Sequence, residues 1–149
     1  MGSRAVMIVV VDSNIFLSAL ISPVGPPARI FEAWQEGRFE IATCPEQIEE
    51  LRNASRYPKL RDILKPHLVG KLLNTLQRTQ IYPHIRKRHA TDDPTDSYLL
   101  DLADAAGAHY LVTGDKKSGL LKRRKLGVTK ILTAVAFCRY GLREPVKND

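Results

Sequence analysis

The chain has 149 residues, the usual length of one domain and enough to bury a sizeable core. Hydrophobic residues make up 44% and charged residues 26%, which is ordinary for a globular protein and excludes extensive disorder. The net charge of +7 favours a polyanionic partner such as nucleic acid, with a merely soluble basic protein as the alternative. We therefore expect one domain over residues 1–149, with its core over about 6–140 and a polar C-terminal tail over 141–149.

The cysteines and the apolar runs exclude several other classes of protein. Cys44 and Cys138 lie far apart and outside any CxxC pattern, so neither a zinc site nor a disulfide framework is indicated. We expect a reducing, cytoplasmic setting. The apolar run over residues 5–11 is too short to span a bilayer and ends at Asp12, so we expect no membrane anchor and no signal peptide.

Short β-branched runs alternate with longer amphipathic ones, which predicts an α/β fold with a parallel sheet wrapped by helices. Residues 6–11 are apolar at every position and predict a central strand covered on both faces. The next predicted elements are a helix around residues 30–34 that ends near Gly37, a strand over 39–43, a helix opened by Pro45, a helix over 66–78 and a short strand around Ile81. A polar loop follows over residues 86–95. The last predicted elements are a helix over 96–106 closed by Gly107, strands over 110–113 and 129–132, and a helix over 134–140.

Two acidic residues follow predicted strands, Asp12 after the first strand and Asp115 after the strand over residues 110–113. Because ligands of open parallel sheets bind beyond the carboxyl ends of the strands, we expect these two side chains to converge. Asp96 begins the helix that leads into the strand before Asp115, and Glu50 lies in the helix after the second strand. If all four meet, their mutual repulsion needs compensation, and a divalent cation supplies it.

Clustered carboxylates suit Mg²⁺ or Mn²⁺, which keep several waters and also bind the phosphate oxygens of a substrate. Such an ion lowers the pKa of a bound water and polarises a phosphoryl group. The acidic cluster therefore predicts hydrolysis of a phosphodiester bond.

Other roles stay open for the single acids. Asp93 before Pro94 is an ordinary helix N-cap, and Asp96 would then stand at the third helical position, where the helix dipole favours a negative charge. Glu50 stands next to Glu49 and is, by itself, typical of a solvated helix face. Asp12 has no such alternative, because a loop that follows a wholly apolar strand more often carries function than packing.

Four segments resemble, in order and spacing, the motifs of PIN domains. They are Val9-Val10-Val11-Asp12-Ser13-Asn14-Ile15-Phe16, Cys44-Pro45-Glu46-Gln47-Ile48-Glu49-Glu50-Leu51, Asp92-Asp93-Pro94-Thr95-Asp96-Ser97-Tyr98-Leu99 and Leu111-Val112-Thr113-Gly114-Asp115. The similarity covers about residues 7–140. It implies that Asp12, Glu50, Asp96 and Asp115 are catalytic and that Asp12, Asp96 and Asp115 bind the metal ion.

The resemblance also implies a three-layer α/β/α sandwich with a five-stranded parallel sheet. It implies Mg²⁺- or Mn²⁺-dependent cleavage of RNA, and often the role of the toxin in a toxin–antitoxin pair, as in VapC-like proteins. The expected partners are RNA, an antitoxin protein and a second copy of the chain, to which Trp34 or Leu142 could contribute. Many relatives carry another acid after the fourth motif, where this chain has Lys116 and Lys117, so we expect one metal site rather than two.

Several polar neighbours of the acids are expected to support them. By the resemblance, Ser13 and Asn14 would order the first metal-binding turn, Thr113 would support Asp115, and Asp93 would add an oxygen near the third acid. Turn formation is the alternative for Ser13 and Asn14, because both residue types form turns unaided.

Two basic stretches flank the acids in the sequence. The first is Arg86-Lys87-Arg88-His89, and the second contains Lys116, Lys117, Lys122, Arg123 and Arg124. Positive charge there could hold an RNA backbone without reading its sequence, and a solvated surface is the alternative. Aromatic residues make up 7% of the chain, so extensive base stacking is not indicated.

Two rival functions differ in class from a nuclease. One is a non-catalytic RNA- or protein-binding module that keeps the same fold. The other is a phosphatase of the haloacid-dehalogenase type, which also uses a strand-end aspartate. Asn14 argues against the phosphatase, because it stands where such enzymes carry a second aspartate.

Overall fold

The structure is a computed structural model and describes residues 6–83, 85, 94–114, 121 and 124–144, with the backbone alone for 94–96. The elements are β1 (Ile8–Val11), α1 (Ser13–Ile21), α2 (Pro26–Gln35), β2 (Glu40–Thr43), α3 (Pro45–Ala54), α4 (Pro58–Arg61), α5 (Pro66–Gln77), β3 (Gln80–Ile81), α6 (Pro94–Ala106), β4 (Tyr110–Val112), β5 (Lys125–Leu126), β6 (Thr129–Leu132) and α7 (Ala134–Ala136), which continues as a π-helical turn over Phe137–Gly141. No helix of this described part is long and apolar enough to cross a membrane.

The strands form one mixed sheet in the order β3-β2-β1-β4-β6-β5 across the described residues. The pairings of β3, β2, β1, β4 and β6 are all parallel, while β5 pairs antiparallel with β6 at the edge. The predicted α/β class with a central parallel sheet is therefore confirmed. The predicted count of five parallel strands was incomplete, because the two-residue β5 adds an antiparallel hairpin that turns at Gly127, whose φ is 57°.

Strand β1 lies in the middle of the sheet and contributes to a core on each face. Val9 and Val11 pack into a large apolar cluster that includes side chains of α1, α2, α3, α5 and the C-terminal turn. Val10 points the other way, into a second cluster built mainly on α6. Because alternate side chains of a strand face opposite sides, an apolar run without interruption is what a doubly covered strand needs.

Proline opens five of the described helices. Helices α2, α3, α4 and α5 begin at Pro26, Pro45, Pro58 and Pro66, where a missing N–H costs nothing. Helix α6 likewise begins at Pro94, two residues earlier than the predicted start at Asp96. Asp96 is therefore the third residue of its helix, as the capping alternative requires.

Two large apolar residues proposed for dimer contacts lie in the core instead. Trp34 is 8% exposed and packs against Phe16 and Phe31, and Leu142 is 5% exposed. Core packing, one of the two interpretations open for Trp34, is therefore what the structure shows, and neither side chain has the exposed apolar surface that a dimer contact needs.

The predicted helix over residues 134–140 is present as α7 and its π-helical extension. Gly141 is the last residue of that extension, and glycine is required there because a Cβ would lie only 2.5 Å from the ring of Phe137.

Candidate active site

The candidate site lies where the chain changes direction across the sheet. From β1 the chain goes to β2 on one side, and later returns to place β4 on the other side of β1. In open α/β sheets this arrangement leaves a crevice at the carboxyl ends of the two strands, where ligands bind. Asp12 directly follows β1 and Thr113 directly follows β4, and the Asp12 N–H donates to the Val112 carbonyl at 2.9 Å.

The carboxylate of Asp12 is buried and held from two directions. Its residue exposure is 6%, and Thr113 Oγ1 donates to Oδ2 at 2.8 Å. Asp12 is also the N-cap of α1, whose second residue, Asn14, directs its backbone N–H at Oδ1 from 3.4 Å. The amino end of a helix favours a negative charge. The aspartate is thus fixed by a neighbouring strand and a helix start together.

Glu50 joins the site through Tyr98. The Tyr98 hydroxyl donates to Glu50 Oε1 at 2.9 Å and lies 3.3 Å from Ser13 Oγ. Because a tyrosine has one hydroxyl proton, Ser13 must be the donor in the second contact. Burial, followed by the charge of Glu50, raises the pKa of Tyr98 far above its usual range, so the hydroxyl stays protonated and keeps donating.

A second buried chain of hydrogen bonds fixes α3, the helix that carries Glu50. The Thr43 hydroxyl donates to Gln47 Oε1 at 2.7 Å, and Gln47 Nε2 donates to the Val11 carbonyl at the end of β1. Gln47 is fully buried and lies one turn before Glu50 on the same side of the helix. The glutamine therefore ties the position of Glu50 to the strand that precedes Asp12.

The structure brings together some of the predicted site residues and leaves others outside its description. Asp12, Ser13, Glu50 and Thr113 meet at the carboxyl edge of the sheet, while Asn14 contributes its backbone N–H and keeps its side chain exposed. The backbone of Asp96 lies in the first turn of α6, but its side chain is outside the described part. Also outside it are Asp93, Asp115, Lys116, Lys117, Lys122, Arg123 and the stretch over residues 86–89.

Thr113 was expected to support Asp115, whose side chain lies outside the described residues. Thr113 does contact the first acid, Asp12. Of the second basic stretch, Arg124 is described, and it is exposed with a φ of 56° just before β5.

Sequence reasoning missed Tyr98 and Gln47. Tyr98 lies two residues after Asp96, within the third motif, as a polar-tipped residue beside a run of leucines on α6. An aromatic with a hydroxyl at that place signals a buried hydrogen bond, because a buried tyrosine usually finds a partner. Gln47 is a lone amide on a helix and gave no comparable signal.

The described carboxylate oxygens are of the type that binds a hard divalent cation. Asp12 and Glu50 offer carboxylate oxygens, which Mg²⁺ and Mn²⁺ prefer, and Asp12 already lies in a buried, preorganised position. Within residues 6–83, 85, 97–114, 121 and 124–144 there is no group of three or more His, Cys, Asp or Glu side chains that could hold a metal ion. The side chains of Asp96 and Asp115, the other two predicted ligands, lie outside the described residues.

Comparisons with known proteins agree with this arrangement. A family model of the PIN domain matches residues 8–117, which is most of the chain. The chain therefore belongs to the PIN domain family, whose members are generally nucleases that use divalent metal ions.

Individual relatives extend the comparison. An uncharacterized protein of Methanocaldococcus jannaschii is 29% identical over 110 residues, which cover 72% of this chain and 70% of that protein. The solved structure of VapBC2 from Rickettsia felis, bound to a DNA fragment from its promoter, contains a chain with a TM-score of 0.57 and 19% identity. That match covers 85% of this chain and 98% of the other, and it shows a shared fold.

Proposed function

We propose that this chain is a metal-dependent ribonuclease that hydrolyses RNA phosphodiester bonds and acts as the toxin of a toxin–antitoxin pair. The observation that carries the proposal is the buried carboxylate of Asp12, held at the crevice between β1 and β4 by Thr113. A buried carboxylate at the carboxyl ends of β1 and β4, where the order of the strands changes direction, stands where open α/β sheets bind their ligands. The toxin role rests on the motif resemblance and on the fold shared with the VapBC2 chain.

In this proposal the chain works as one PIN nuclease domain, in the cytoplasm, with RNA and an antitoxin as partners. Asp12, Asp96 and Asp115 would hold one Mg²⁺ or Mn²⁺ ion. When bound, the ion lowers the pKa of a bound water and polarises the phosphoryl group. If a homodimer forms, its contacts are made by residues other than Trp34 and Leu142, because both of these are buried in the core.

The side chains around the acids have separate tasks. Thr113 holds one oxygen of Asp12, and Tyr98 holds one oxygen of Glu50. The second oxygen of Glu50, Oε2, engages no other residue of the described part, and in this proposal it would accept a proton or orient a water.

Phosphate binding falls to the basic residues after the fourth motif. We assign it to Lys116, Lys117, Lys122, Arg123 and Arg124, of which Arg124 is exposed beside the edge hairpin. This contact would position the RNA backbone without selecting a sequence.

The test is cleavage of end-labelled single-stranded RNA by the purified protein, with Mg²⁺ or Mn²⁺ and with a chelator. We expect cleavage that depends on the metal, and a rate more than about 100-fold lower for Asp12→Asn, since even residues that only orient metal ligands cost about 10- to 100-fold. Asp62→Asn makes the same chemical change on the exposed turn after α4 and should cut normally. RNA binding without cleavage by the unaltered protein would instead support the non-catalytic module.

A further inference from the structure

A pocket of about 340 Å³ opens directly beside the candidate active site. Two of the residues that line it, Ser13 and Glu50, belong to the hydrogen-bond chain through Tyr98. Its other walls come from α1, α3 and the start of α4. The pocket is thus continuous with the acidic site and is within the size range of small-ligand pockets.

The lining combines an apolar wall with amide groups. Leu17 supplies apolar surface, and Tyr57 lies at the mouth with 58% of its surface exposed. Asn14 and Asn53 both line the pocket and are exposed, and neither side-chain amide hydrogen-bonds to another residue of the described ranges. Each amide offers both donors and an acceptor.

This chemistry fits a nucleobase better than a phosphate. A base has flat apolar faces, which stack on aromatic rings, and a polar edge that pairs well with asparagine amides. A phosphate would meet the Glu50 carboxylate and find no Lys or Arg among the lining residues. Tyr57 is the aromatic residue among those lining the pocket, so the pocket can stack one base. One stacked base is consistent with the low aromatic content of the chain.

We propose that this pocket binds the base of an RNA nucleotide next to the bond that is cut. Tyr57 stacks on the base, and Asn14 and Asn53 hydrogen-bond to its edge. This inference rests on the proposed ribonuclease function, and it adds a contact with the base to a site otherwise built for the sugar–phosphate backbone.

The test measures RNA binding separately from cleavage. The probe is a short single-stranded RNA of mixed sequence, compared with an abasic oligomer of the same length and backbone, both titrated in chelator by fluorescence anisotropy. The variants are Tyr57→Ala, Tyr57→Phe and, as a matched control, Tyr140→Ala. Tyr140 is 61% exposed, lies in the C-terminal π-helical turn and does not line the pocket.

We expect Tyr57→Ala to weaken binding of the base-bearing RNA by about 5- to 100-fold, the range given by the loss of one stacked base. Binding of the abasic oligomer should be unchanged, and Tyr57→Phe and Tyr140→Ala should bind both probes like the unaltered protein. Asn53→Leu should also weaken only the base-bearing RNA. Because Tyr57 and Asn53 are exposed, these changes should leave the thermal unfolding curve in place.

Three results would overturn the proposal. They are unchanged RNA binding in Tyr57→Ala, an equal loss for both probes, and no preference of the unaltered protein for the base-bearing RNA. The first of these would point to a protein segment as the occupant. Because binding is measured without metal, a protein that binds bases here but never cleaves disproves the ribonuclease function and leaves the base site standing.

Discussion

Two carboxylates in this molecule are held in opposite ways. Asp12 is buried at the crevice between β1 and β4, and its described contacts include the Thr113 hydroxyl and the Asn14 backbone N–H. Glu144, near the C-terminus, is partly buried between the guanidinium groups of Arg29 and Arg38. The second arrangement ties the end of the chain to α2, because Arg38 also donates to the Leu142 carbonyl at 2.7 Å.

The difference separates a site built for chemistry from one built for stability. Glu144 is partly buried and paired with two opposite charges, and such pairs add modestly to stability. Asp12 is withdrawn from water at the carboxyl ends of the strands, where the Thr113 hydroxyl and the Asn14 backbone N–H orient its carboxylate. We therefore expect changes at Asp12 to affect activity far more than folding, and changes at Glu144 to do the reverse.

The largest expected effect is at Asp12. In Asp12→Asn the buried charge disappears while the shape stays the same, so the free energy of unfolding should be unchanged or higher, although cleavage is lost. Thermal unfolding measured alongside the RNA assay checks this. A clear fall in melting temperature would show that the carboxylate mainly serves the fold, and the contrast with Glu144 would fail.

The next effect is at Thr113. Thr113→Val keeps the shape but removes the donor to Asp12, so cleavage should fall by about 10- to 100-fold and unfolding should be easier by about 1–3 kcal/mol. The metal concentration for half-maximal cleavage should rise. Thr113→Ser restores a hydroxyl and should recover most of the activity, whereas equal damage in both variants would mean that packing of the threonine methyl matters, not the hydrogen bond.

A smaller effect is expected at Tyr98. Tyr98→Phe removes the hydroxyl that donates to Glu50, so cleavage should fall by roughly 10-fold and the stability by about 1 kcal/mol. Since the proposed task is to orient Glu50, the loss should lie in kcat rather than in KM. Tyr110→Phe is the matched control, because Tyr110 is a partly buried tyrosine of β4 whose ring packs on Phe137. Similar losses in both variants would contradict a special role for Tyr98.

The smallest effect is expected at Glu144, and it should depend on pH and salt. Arg29, followed by Arg38, holds the pKa of Glu144 below its usual range. A carboxyl with a lowered pKa contributes its stability above the unfolded value, about 4.3, and loses it as the pH falls through the folded value. Glu144→Gln should therefore be slightly less stable near neutral pH and converge with the unaltered protein in acid or in high salt. Cleavage should not change, and a loss of cleavage would tie the C-terminal contact to the site.

Most strands of the sheet could be predicted from the sequence because they coincide with short apolar runs. Strand β1 and its place at the centre followed from an apolar stretch that leaves no polar face. Helix α1 was missed since it begins on Ser13 and is apolar around much of its circumference, which hides the helical period. Strand β5 was missed because two residues are too few to show any alternation.

At the site, the position of Asp12 could be predicted from the sequence, but its contacts could not. A strand-end acid can be recognised from its neighbours along the chain. The partners of the site come from far away, with Tyr98 lying 85 residues from Ser13 and 48 from Glu50. The packing of α6 against β1 and β2 brings the Tyr98 hydroxyl to the acids. This contact cannot be predicted from the residues next to Tyr98 in the sequence.

The distance along the chain between Asp12 and Thr113 has a consequence for synthesis on the ribosome. The two residues are 101 positions apart, yet they hydrogen-bond across adjacent strands. A nascent chain that already carries Asp12 lacks its hydrogen-bond partner until β4 and Thr113 have been synthesised. The contact that orients this carboxylate therefore forms late in synthesis, after β1 can pair with β4.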